Sequence, residues 1–146
     1  MLSRLSVKSV FATRTLSRAF CTRFSRDHEW CTVSENNIAT FGITKHAQEE
    51  LGEIVFVDFQ TKVGESVEAK TSAASVESVK AVSDVYAPIS GKLVEFNNEL
   101  ESNLDLINEE PQANGWLFKL QLENKNEFNQ LMNQTEYEKF CQEEHH

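Results

Sequence analysis

Arginine disappears from this chain after Arg26, and acid is missing before Asp27. The first 26 residues hold six basic groups (Arg4, Lys8, Arg14, Arg18, Arg23, Arg26) and no carboxylate. Residues 27–146 hold eight lysines against twenty-three carboxylates, so the overall charge of −9 conceals a −15 body. A surface this acidic repels phosphate backbones, which argues against nucleic acid as a partner. It favours proteins with basic docking faces, whose approach the field would steer. No apolar run approaches the roughly 20 residues that a bilayer-crossing helix needs, so a membrane span is excluded. Cys21, Cys31 and Cys141 are too few and too scattered for a disulfide framework or a metal site, and read as incidental thiols. No Ser/His/Asp or Cys/His set stands at recognisable spacing and there is no Walker-type loop, which argues against catalysis by this chain. Repeats and Pro/Ala-rich linkers are missing too, so residues 27–146 are expected to form one domain that stands alone.

What is present begins with the leader. Arginine, serine, threonine and scattered apolar residues without acid, and without a continuous apolar core, have the composition of a mitochondrial transit peptide. Residues 1–26 are read as that peptide, with cleavage between about 20 and 27 and the matrix as destination. The plainer alternative is a basic tail.

Past the leader, alternation of polar and apolar residues predicts a strand over 28–33; a turn over 34–37 leads into a returning strand over 38–43, and β-branched residues mark another over 53–59. Thr44 caps a short helix that ends before Gly52, with Lys45, His46, Glu49 and Glu50 facing water. Further strands are expected over 75–79, 83–87, 92–96 and 115–122. Trp30, Phe56, Trp116 and Phe118 read as core at strand spacing rather than as a ligand pocket. In the tail, Phe128, Leu131 and Met132 share one helical face, and Tyr137, Phe140 and Cys141 share another. The two triplets start nine residues apart, about two and a half turns, so one straight helix would point them in opposite directions. Asn124 with Glu127 and Thr135 with Glu138 have capping-box spacing, so two short helices with a break near Asn133 are predicted. His145 and His146 close the chain and are assigned no function.

Between the strands over 75–79 and 83–87 sit only Lys80, Ala81 and Val82, enough for a tight reversal and nothing more. A lysine there has a fixed backbone and a free amine that a modifying enzyme reaches without unfolding anything. By itself this means little, because an exposed turn lysine is usually just hydrated.

The surrounding residues change the weight of that position. Glu77-Ser78-Val79-Lys80-Ala81-Val82-Ser83-Asp84-Val85-Tyr86-Ala87-Pro88-Ile89-Ser90-Gly91 resembles the lipoyl-attachment signature of the H-protein family of glycine cleavage. His28-Glu29-Trp30, Gly52-Glu53-Ile54-Val55-Phe56-Val57, Ile107-Asn108-Glu109-Glu110-Pro111 and Gly115-Trp116-Leu117 look like further family landmarks, in order. The resemblance covers residues 27–143. It implies a mainly β fold, a barrel-sandwich hybrid of two antiparallel sheets with the modified lysine on an exposed hairpin and helices at the periphery. It implies lipoate in amide linkage on Lys80, on an arm that reaches about 14 Å from the backbone. It implies an aminomethyl group received from glycine decarboxylase and presented to aminomethyltransferase, with dihydrolipoyl dehydrogenase reoxidising the dithiol by thiol–disulfide exchange. On this reading the protein is a monomeric carrier and its partners are the catalysts, with a lipoylating enzyme as a further partner. Glu29 and Asp84 match family positions that hold the loaded arm, through a carboxylate that attracts its amine. Asp27 stands where a small hydroxyl is common in the family and is given no role. Glu77 is equally well a recognition residue for the lipoylating enzyme or a solvent-facing strand residue.

Rival readings fit less well. Biotin-bearing domains place methionine on both sides of the lysine, where Val79 and Ala81 stand here. Lipoyl domains of 2-oxoacid dehydrogenases show Asp before the lysine, and a flexible linker. A hydrolase built on His28 lacks a placed nucleophile. Donation of lipoyl groups to other enzymes is compatible with the carrier reading.

Overall fold

The computed structural model describes residues 22–144; residues 1–21 of the expected leader, and the His145–His146 pair, lie outside the described residues. In chain order the strands are β1 (Arg23–Phe24), β2 (Glu29–Val33), β3 (Ile38–Ile43), β4 (Ile54–Phe59), β5 (Ser66–Val67), β6 (Ser72–Ser78), β7 (Val82–Tyr86), β8 (Gly91–Phe96) and β9 (Phe118–Leu122). The helices are α1 (Lys45–Leu51), α2 (Glu99–Ser102), α3 (Asp105–Glu109), α4 (Lys125–Asn129) and α5 (Gln134–Glu144). They make a six-stranded sheet, β1-β2-β3-β9-β8-β5, and a three-stranded sheet, β4-β6-β7, with antiparallel pairing throughout.

The inward residues line up across the sheets. Phe41, Phe118 and Phe96 form one row, and Ala39, Leu120 and Leu93 the next. A bulge at Val94 re-phases β8, so that Val94 and Glu95 both face outward and Phe96 still turns in. Phe59 comes from the smaller sheet and joins the two. Its ring stacks on Phe96 at 4.9 Å and meets Phe118 edge-on at 5.4 Å. Such pairs add to the area burial that holds the sheets face to face. A second cluster, Phe24, Trp30 and Tyr137, lies under α5.

Several expectations are corrected. The ordered domain starts before residue 27: Arg23 and Phe24 pair with Cys31 and Trp30, and Phe24 is buried. Phe56 is not core but 54% exposed, because it pairs with Glu77 on the outer face of the small sheet. Trp116 is half-buried but does pack against the Phe24, Trp30 and Tyr137 cluster, as expected. His46 does not face water but stacks on His28, ring to ring at 4.5 Å. The break near Asn133 is where it was expected, but the capping box there is Asn133 with Glu136, not Thr135 with Glu138. Asn124 does cap α4 through the N–H of Asn126, while Glu127 turns away and accepts from the N–H and hydroxyl of Ser90.

Candidate functional site

Lys80 lies at the tip of the β6–β7 hairpin, and its side chain is exposed. Strand alternation ends there because Val79, Lys80 and Ala81 close the reversal on a single side chain. Buried Ser78 accepts the N–H groups of Lys80 and Ala81, both at 3.1 Å, and its hydroxyl donates to the Ala81 carbonyl at 3.3 Å. Serine's short hydroxyl satisfies local backbone groups in this way, and the tip becomes rigid. The N–H of Val79 also donates to the Glu53 carbonyl at 3.1 Å, which ties the tip to the start of β4.

Gly52 completes the seat. It ends α1 at φ 85°, a left-handed conformation that favours glycine. A Cβ at this position would stand 3.3 Å from Cε of Lys80. The lysine stem therefore lies back over a bare backbone while its amine stays open to solvent. Beside it, Asn108 hydrogen-bonds both backbone groups of Ile54 and fills the gap left by the β4 bulge.

The two carboxylates expected to act with Lys80 occupy different environments. Asp84 is exposed on the outer face of the small sheet, opposite Ser75. Glu29 is 2% exposed. Its Oε1 accepts from the Ser25 hydroxyl at 2.6 Å, and its Oε2 accepts from the Tyr86 N–H at 3.0 Å. It thus clips the β1–β2 hairpin of one sheet to the end of β7 in the other. Burial pushes its carboxyl from the ordinary 4.5 up to about 7, against the lowering effect of those two hydrogen bonds. Its edge reaches the wall of a cleft lined also by Ser25, Asp27, Lys70, Pro88 and Glu127. Among the described residues, no hydrogen bond or ion pair links Lys80, Glu29 and Asp84 to one another. Glu77 is exposed in the row Phe56–Glu77–Val82 beside the tip.

Sequence reading missed Ser78, Gly52 and Asn108 as parts of the site. Ser78 carried a signal, because a serine two residues before a turn tip often caps the turn with its hydroxyl. Asn108 carried none, since its partner stands 54 residues away.

Two sheets folded around one core, with a rigid hairpin offering an exposed lysine, define a barrel-sandwich hybrid of the lipoyl-carrier type. The family model described as glycine cleavage H-protein matches residues 22–144. A glycine cleavage system H protein of Thermotoga maritima is 45% identical over 122 residues, which are 84% of this chain and 97% of that one. A mitochondrial glycine cleavage system H protein of Flaveria pringlei is 46% identical over 134 residues, 88% of this chain and 82% of that one. The crystal structure of a glycine cleavage system H protein from Mycobacterium marinum superposes with a TM-score of 0.73 at 33% identity, covering 84% of this chain and 98% of that one. The chain belongs to the glycine cleavage H-protein family.

Proposed function

We propose that this protein is the lipoyl-carrying shuttle of a glycine cleavage system, and that Nζ of Lys80 holds lipoate in amide linkage. The observation that carries the reading is the position of Lys80, on a hairpin tip fixed by Ser78 and seated over Gly52, in a chain of this family. The residues present fit such a group. The amine is open, its stem is supported, and Gly52 leaves free the space that a Cβ would fill.

When bound, the group supplies a disulfide that accepts the aminomethyl unit of glycine and is later reoxidised. This chain's own residues tether and present. Ser78 holds the tip still, so that motion is confined to the arm. Asp84 offers a solvent-facing carboxylate to the arm's amine, and Glu29 offers the edge it shows to the cleft. The partners are glycine decarboxylase, aminomethyltransferase, dihydrolipoyl dehydrogenase and the lipoylating enzyme, and the acidic body guides their basic faces to it. The protein acts as a monomer in the mitochondrial matrix and catalyses nothing alone. Its basic leader is removed ahead of β1.

Intact-mass and peptide analysis of the protein from its own mitochondria tests this. One lipoyl adduct on Lys80 is expected, and Lys80→Arg should abolish glycine-dependent carbon dioxide exchange while the thermal transition is unchanged. A biotin adduct, a bare Lys80 in mature protein, or retained exchange in the variant would each overturn the reading.

A further inference from the structure

Away from the hairpin, the fold gathers four metal-ligating side chains that the sequence scatters. His28 precedes β2, His46 lies in the first turn of α1, and Cys141 and Glu144 lie in the last turn of α5. The ligand atoms of His28, His46 and Cys141 lie within 4.8 Å of one another, and all three residues are half-buried. Glu144 Oε1 is 2.7 Å from His28 Nε2 and 4.0 Å from His46 Nε2. We propose that His28, His46, Cys141 and Glu144 form a binding site for one divalent transition-metal cation of borderline softness, such as zinc.

Imidazole, thiolate and carboxylate are the donors that such a cation takes in four-coordinate geometry. Ligand atoms about 2.0–2.3 Å from a tetrahedral ion stand about 3.5 Å apart, so the widest pairs have to close by about 1 Å while His28 Nε2 and Glu144 Oε1, now 2.7 Å apart, have to open. Cys141 and Glu144 are three residues apart on one helical face, so a small shift of the end of α5 brings both donors in together. A supporting layer is already built. His28 Nδ1 is 2.7 Å from the Tyr137 hydroxyl, which is 2.7 Å from Thr44 Oγ1. If Nδ1–H donates to Tyr137, the lone pair of Nε2 is directed at the Glu144 carboxylate. Two acceptors at 2.7 Å need a cation or a proton between them. The two rings are stacked at 4.5 Å with 28° between their planes, so His46 has to swing out of the stack for both in-plane lone pairs to meet at one ion. The second nitrogen of a ligating histidine is typically held by such an outer partner. Glu50, 2.9 Å from His46 Nε2, supplies a further carboxylate at the rim. A bound ion would pin α5 to the start of β2 and to α1.

The test is titration of the metal-free full chain with cobalt(II), followed by displacement with zinc. One equivalent should bind with a thiolate-to-cobalt charge-transfer absorption, and zinc should erase the colour and raise the melting temperature. Cys141→Ser should lose the charge-transfer band, and His46→Gln should weaken binding by at least about tenfold; Tyr137→Phe should keep the band but bind about tenfold more weakly. His46 sits near the surface of a short helix, so its variant carries the test even if Cys141→Ser fails to fold. The double variant His145→Ala/His146→Ala and the armless Lys80→Arg should bind like the parent. A band that survives Cys141→Ser, or that vanishes with the terminal histidines or with Lys80→Arg, overturns the proposal. So does the absence of binding at micromolar cobalt.

Discussion

Glu29 shows how far one side chain can depart from the reading of its residue type. Within a chain of twenty-three acids, the prior for any one of them is a hydrated surface position. Only the resemblance singled it out, because nothing in its neighbours announces a carboxyl buried between two sheets. Its folded-state carboxyl is raised to about 7. Between its ordinary 4.5 and about 7 the folded protein therefore binds a proton that the unfolded chain releases. By linkage its contribution to stability is fully present below about 4.5 and is lost as pH rises through about 7. A displacement of this size corresponds to an effect of order 3 kcal/mol. Glu29→Gln keeps one acceptor and removes the titration. The difference in urea-unfolding free energy, variant minus parent, should therefore grow from pH 4.5 to 7 and then level off, leaving the variant the more stable at pH 8. A difference independent of pH would mean that the carboxyl stays charged throughout.

Elements were legible where periodicity was long and clean. β3 and α1 fall on the predicted residues, because the turn over 34–37 and the cap at Thr44 bracket β3, and Thr44 and Gly52 punctuate the two ends of the helix. The small sheet with its hairpin was readable from the alternation on either side of Lys80. The missed elements are short: β1 and β5 have two residues each, and α2 and α3 have four and five. Segments of that length carry no period, and tertiary contacts alone fix them. Phe56 misled because strand alternation locates a face without saying which face is covered, and the β4 bulge inverts the parity after Ile54. The hairpin tip is where local chemistry decides an element's shape. Ser78→Ala would leave the N–H groups of Lys80 and Ala81 without their acceptor and should cost about 1–2 kcal/mol. The rate at which a lipoylating enzyme modifies Lys80 should fall several-fold, because the turn would no longer be set beforehand. Unchanged stability and an unchanged modification rate would show that strand pairing alone holds the tip.

At the scale of the whole molecule, the fold closes on its own N-terminal segment. The basic, acid-free composition runs unbroken through Arg26, and charge alone therefore marks no boundary within it. Packing draws one. Phe24 is 1% exposed and stacks on Tyr137 of α5 at 4.4 Å. Its N–H and carbonyl each bond Met132, at 2.8 and 2.9 Å, and Arg23 donates to the Leu131 carbonyl at 2.9 Å. Ser25 supplies the hydroxyl on which Glu29 depends. Residues 23–25 thus hold the C-terminal helices and the inter-sheet clip together, and losing the buried phenylalanine alone costs about 3–5 kcal/mol. That is a large share of the roughly 5–15 kcal/mol that keeps a domain folded. A chain begun at Thr22 should therefore melt as the full chain does. A chain begun at Asp27 should melt at least about 10 °C lower, with α5 the first part to exchange its amide protons. Equal melting temperatures for the two would mean that β1 is an ornament on a fold complete without it. If they differ as expected, a cut anywhere after Phe24 would remove the strand on which α5 rests.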